Sequence, residues 1–110
     1  MEKIYNKLVR DKIPDIIRSN GETPIVKILN DEDYKKELDK KLFEEYNEVI
    51  NASGYDRLEE LADMIEVIKA LAKIEGKSLN DVIKISYDKG EKRGGFENKV
   101  FLEKVIENNK

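Results

Sequence analysis

Apolar residues recur at helical spacing over most of the chain. From Asn30 or Asp31 to about Ala52, the residues Tyr34, Leu38, Leu42, Tyr46, Val49 and Ile50 fall three or four apart, which predicts one long amphipathic helix. Ser53-Gly54-Tyr55-Asp56 is a tight connection, and so short a loop predicts an antiparallel helical neighbour. That neighbour runs from about Asp56 to Glu75 and stops at Gly76. Leu58, Leu61, Ala62, Met64, Ile65, Val67, Ile68 and Leu71 make it apolar around most of its circumference. Such a helix is expected at the centre of a bundle. Its wide apolar surface implies that more than one chain shares the core, as a homodimer or homotetramer.

The remaining elements are shorter. Asp11 as cap, Pro14 in the first turn and Gly21 as stop predict a helix over residues 11–20. Ser78, with Asp81 three residues on, predicts the start of a further helix that carries Leu79, Val82, Ile83 and Ile85 and fades near Gly90. Thr23–Leu29 is rich in β-branched residues and reads as a strand or extended piece. Arg93-Gly94-Gly95-Phe96 is a turn, and Lys99–Ile106 reads as a strand or a last helix, with a strand at Val100–Leu102 that pairs with Ile25–Leu29 favoured. The expectation is one all-α domain over residues 1–110, a helical bundle with a small two-stranded β element.

Composition narrows the chemistry. Of 110 residues, 41% are charged and 39% hydrophobic, against roughly 25% charged in an average soluble protein. The charges are of mixed sign and the apolar residues are periodic, which argues for helices with charged outer faces and against disorder. A net charge of −3 does not suggest a general nucleic-acid binder. The chain has no cysteine and no histidine, so disulfides, zinc sites built from these residues and imidazole catalysis are excluded. No apolar run approaches the roughly 20 residues of a membrane span. The start, Met1-Glu2-Lys3-Ile4-Tyr5, lacks the apolar stretch of a signal peptide, so a cytoplasmic location is expected.

Helical phase then singles out four acids. With Leu42 at zero and about 100° per residue, Glu45 falls near −60°, inside the apolar arc, Glu48 near −120°, at its edge, and Glu44 near −160°, facing away. On the next helix, with Leu61 at zero, Glu60 lies near −100° and Asp63 near −160°, among apolar neighbours such as Val67. Glu59 and Glu66 share the polar side with Lys69 and Lys73. Acidic groups are rarely buried unless paired or bound to a cation. Two explanations fit: lysines or arginines neutralise the four, or a divalent metal does. All-oxygen ligands suit Mg²⁺ or Mn²⁺, and Mg²⁺ usually completes its shell with water and substrate phosphates. A lone E-x-x-E in a chain with 24 acids arises easily by chance; two inward-facing pairs joined by a tight turn bring the metal reading level with the chance one.

Phosphates also require cations. Lys89, Lys92 and Arg93 precede Gly94-Gly95, and Lys89 and Arg93 share one face if the helix persists that far. Lys89 and Arg93 are therefore candidate phosphate contacts; the competing explanation is a basic helix end that complements the macrodipole. Arg10 and Lys12 are further candidates for the same site, against a local cap or ion pair between Arg10 and Asp11. Phe96, Tyr46 and Tyr87 offer faces for a base, but core packing is the favoured explanation for each.

The segment Glu44-Glu45-Tyr46-Asn47-Glu48, followed by Glu60-Leu61-Ala62-Asp63, resembles the acidic signature of the MazG-like all-α nucleoside triphosphate pyrophosphatases. The opening KLVRDKIPDII (Lys7–Ile17) and the late RGGF (Arg93–Phe96) resemble a small phosphoribosyl-ATP pyrophosphohydrolase-like branch. The resemblance implies an all-α core that dimerises or tetramerises into a four-helix arrangement. It implies Mg²⁺ at Glu45, Glu48, Glu60 and Asp63, and cleavage of a nucleotide between its α- and β-phosphates. Glu45 and Glu48 are the expected catalytic residues, as ligand or as base. The interval between the two acid pairs is short for that family, which suits a small substrate or a site completed by a partner. Two other functions remain open: a true phosphoribosyl-ATP pyrophosphohydrolase, and a non-catalytic assembly module whose acids pair with lysines.

Overall fold

A computed structural model of the chain describes residues 1–109. It contains four helices and, among the described residues, no strand: α1 (Ile13–Ser19), α2 (Asp31–Asn51), α3 (Gly54–Ile74) and α4 (Leu79–Arg93). The all-α class is as expected. The chain divides into two compact units, Met1–Leu79 and Asn80–Lys110.

The first unit is organised by the α2–α3 hairpin. The Asn30 side chain caps α2 by accepting the Asp33 N–H at 2.8 Å. Asp31, Glu32 and Asp33 then place negative charge at the positive end of the helix dipole. Ala52 and Ser53 are extended, and Gly54, at φ +59°, reverses the chain in a conformation that disfavours other residues. Helix α3 thus starts two residues earlier than its apolar pattern indicates. It ends in a Schellman turn: the Lys77 N–H donates to Ala72 O at 2.9 Å and the Gly76 N–H to Lys73 O at 3.0 Å. The two helices pack on each other along Leu38, Val49, Val67 and Ala72. That core is thin, and among the described residues no side chain is fully buried. Leu58, Leu61 and Ile65 on α3, and Phe43, Tyr46 and Ile50 on α2, stay exposed on the single chain.

Three expectations need correction. Asp11 does not cap α1; Lys12 occupies the cap position without a side-chain bond, and Pro14 with its fixed φ starts the helix instead. Neither Ile25–Leu29 nor Val100–Leu102 is a strand, and no β element forms among the described residues. Ile25, Ile28, Val100 and Phe101 are exposed; β-branched propensity without a partner strand does not make a sheet. Helix α4 does not fade at Gly90. It continues to Arg93 and ends at Gly94, whose φ is +80° and whose N–H bonds Gly90 O at 2.8 Å. Among the described residues, no helix is long and apolar enough to cross a membrane.

The interior position of Gly90 carries a prediction. A Cβ there meets nothing within 4 Å and the backbone is helical. Gly90→Ala is expected to stabilise α4 by about 0.5–1 kcal/mol, read as a higher helical content and a raised Tm by circular dichroism.

Candidate metal centre

Antiparallel pairing sets the register of the site. Glu45 lies seven residues before Ala52 and Glu60 seven after Ser53, so the hairpin brings them level. Asp63 follows Glu60 by one turn on the same face of α3, ahead of buried Val67. On α2, Glu45 shares its face with buried Leu38 and Val49. The result is a trio, Glu45, Glu60 and Asp63, with one carboxylate oxygen from each within 4.8 Å of the others. Glu45 is the buried member, 7% exposed, and no other charged residue is buried among those described. Glu60 and Asp63 are half-buried.

The electrostatics follow from that crowding. Burial pushes the Glu45 carboxyl above its ordinary value; the Lys41 charge opposes this, while Asp63, Glu44 and Glu60 reinforce it. Glu60 is raised likewise, by desolvation first and then by the charges of Glu48, Asp63, Glu59 and Asp56. Glu44 behaves in the opposite way. Its desolvation would raise it, but hydrogen bonds and charges from Lys41 and Lys7 outweigh that and hold it low.

The four predicted acids are not equivalent. Glu48 is exposed and stands outside the trio, although it is near enough to Glu60 to act on its charge. Among the basic residues, Arg10 reaches the site: its Nη2 donates to Asp63 Oδ1 at 2.6 Å, and it is not tied to Asp11. Lys12 is exposed at the start of α1. Lys89 and Arg93 lie one turn apart on one face of α4, in the second unit, and neither forms an ion pair among the described residues.

Two further cations were not among the candidates. Lys41 Nζ lies 3.3 Å from Glu44 and 3.7 Å from Glu45, and Lys7 Nζ lies 3.3 Å from Glu44. Lys41 precedes Glu45 by four residues, so helical spacing alone could have found it. Glu44, whose phase points outward, is nevertheless covered by Lys7 from the N-terminal segment. Both explanations of the inward acids therefore have a physical counterpart: Arg10 and Lys41 neutralise part of the charge, and Glu60 has no cation within ion-pair distance among the described residues.

The trio fits a hard divalent cation in donor type. An octahedral Mg²⁺ shell places its oxygens about 3.0 Å apart along edges and about 4.2 Å across. The three carboxylate oxygens, within 4.8 Å of one another, come close to those spacings. Glu45, Glu60 and Asp63 are the residues that can hold the ion, with Glu48 within reach of the same charge.

No family model and no solved structure matches the chain. An uncharacterized protein of Mycolicibacterium smegmatis (strain ATCC 700084 / mc(2)155) is 46% identical over 50 residues, which cover 46% of this chain and 51% of that protein. The chain thus spans about half the length of the curated relative it matches.

Proposed function

We propose that the protein is a Mg²⁺-dependent nucleotide pyrophosphohydrolase that cleaves a nucleoside triphosphate, including noncanonical ones, to the monophosphate and pyrophosphate. The observation that carries this reading is the convergence of Glu45, Glu60 and Asp63, two of them raised in pKa, on one face of a helical hairpin. The resemblance of Glu44–Glu48 and Glu60–Asp63 to the MazG-like signature supports it. Bound there, Mg²⁺ (or Mn²⁺) would supply charge neutralisation on phosphate oxygens and a more acidic water.

The chain's own residues have distinct parts in this reading. Glu45, Glu60 and Asp63 hold the cation. Glu48, outside the trio and open to solvent, is the base that accepts a proton from the attacking water. Arg10, half-exposed beside Asp63, exchanges that carboxylate for a phosphate oxygen when the nucleotide binds. Lys12, in the same unit as the trio, is a further phosphate ligand, while Lys89 and Arg93 share a face of α4 in the second unit. The exposed apolar stripes of α2 and α3 support a homodimer or homotetramer.

Pyrophosphate release across a nucleotide panel with Mg²⁺ tests the assignment, including phosphoribosyl-ATP as the alternative substrate. Equal activity in wild type, Glu45→Gln and Asp63→Asn would sink it. Arg10→Ala separates binding from metal capture: KM for the nucleotide is expected to rise about tenfold, the loss of one charge-assisted contact, while Mg²⁺ affinity does not fall. A fall in Mg²⁺ affinity would show that Arg10 builds the acid trio instead of competing for it.

The Arg10–Asp63 and Lys41–Glu45 contacts favour a second reading, a non-catalytic helical module whose acids are neutralised internally. In that case Mg²⁺ leaves the Tm unchanged.

A further inference from the structure

Helix α3 ends beside a concavity of about 440 Å³ lined by Lys69, Lys73, Gly76, Lys77, Ser78 and Leu79. Its volume is that of a small-ligand site. The three lysines recur every four residues, so Lys69 and Lys73 share one face of α3. Gly76, at φ +76°, turns the chain so that Lys77 borders the same concavity. Like charges at this spacing repel. No carboxylate lines the concavity, and none of the three lysines forms an ion pair among the described residues. Lys7, Lys36, Lys40 and Lys41, by contrast, all do.

A basic helix end is ordinarily explained by the macrodipole and its free carbonyls. Here the backbone already serves those carbonyls. Ala72 O accepts from Lys77 N–H and Lys73 O from Gly76 N–H, and no lysine ammonium bonds a carbonyl among the described residues.

The geometry points to an anion site at Lys69, Lys73 and Lys77 for a compact condensed phosphate such as pyrophosphate. Three lysines line one concavity, their summed charge matches that of a diphosphate, and lysine binds phosphate as a point charge. At 1.5 Å per residue, Lys73 lies about 15 Å along α3 from Asp63, so the site works without the acid trio and without a metal. It therefore stands or falls apart from the proposed hydrolysis.

The test is a pyrophosphate titration of the full chain in EDTA at low salt, followed by ¹⁵N amide shifts. Saturable binding is expected with a Kd of about 1 mM or tighter, with shifts centred on residues 69–79. Lys73→Ala with Lys77→Ala should weaken it at least about tenfold by removing two charged contacts; the paired arginine substitutions should retain it, and Glu45→Gln should leave it unchanged. The lysines are exposed and alanine favours helix, so unchanged circular dichroism will show that the variants fold. Undiminished binding in the double alanine variant, equal affinity for sulfate, or no saturation would each overturn the proposal.

Discussion

Glu45→Gln is expected to act in two opposite directions: metal-free protein melts a few degrees higher at pH 7, and Mg²⁺-dependent turnover falls at least about a hundredfold. The first effect follows from the sign of the pKa shift. Glu45 titrates above its ordinary value of 4.5 in the fold, so folding favours its protonated form. The stability it contributes is present below the unfolded value and is lost as pH rises through the folded one. At pH 7 the ionised carboxylate is a burial cost, only partly offset by Lys41 at 3.7 Å. Glutamine keeps the shape, removes the charge and can donate to the Glu60 or Asp63 oxygens. A gain on the order of 1 kcal/mol corresponds to roughly 4–8 °C in a domain near this size. The second effect follows because an amide is a poor ligand for a hard cation. Thermal melts without metal and pyrophosphate release with it measure both. A variant that melts lower and turns over normally would mean that Lys41, and no metal, accounts for the buried acid.

Legibility in the sequence varied with the range of the interaction. Helices α2 and α3 were readable because a period of 3.6 persists over 21 residues in each, long enough to outvote local exceptions. Ile25–Leu29 and Val100–Leu102 were misread because a strand is defined by its partner, which no local pattern contains. Gly90 was misread as a stop; a glycine ends a helix where a positive φ is required, and that residue is Gly94. Within the site, phase placed Glu45 correctly among Leu38 and Val49, since a buried position is over-determined by its neighbours. Glu48 lay at the edge of the apolar arc, and the structure leaves it exposed. Arg10 stands 53 residues from Asp63, and spacing along one helix says nothing about such a contact. Lys7 on Glu44 is missed for the same reason.

Mg²⁺ itself is expected to have the largest effect on stability, and that effect should vanish on acidification. A ligand that binds only the folded state adds about 2.7 kcal/mol at a hundredfold excess over its Kd, so saturating Mg²⁺ at pH 7.5 should raise the Tm by more than any single substitution considered above. Protons compete with the ion for the same oxygens. Glu45 and Glu60 are both raised, so the competition begins above the ordinary carboxylate range and the Mg²⁺-induced shift shrinks as pH falls toward that range. The metal-free baseline moves the other way over this interval. Protonation of Glu45 and Glu60 relieves their repulsion and stabilises the fold. Glu44, held low by Lys41 and Lys7, keeps its contribution above the unfolded value and loses it only as pH falls through its own depressed one. Melts with and without Mg²⁺ should therefore converge from both sides, the metal-bound curve falling and the metal-free curve rising. A Mg²⁺ shift that is independent of pH, or one that survives Glu45→Gln, Glu60→Gln and Asp63→Asn together, would place the cation elsewhere on this acidic chain. Non-specific screening predicts neither the convergence nor its dependence on these three residues, because salt acts on exposed charges of both signs alike.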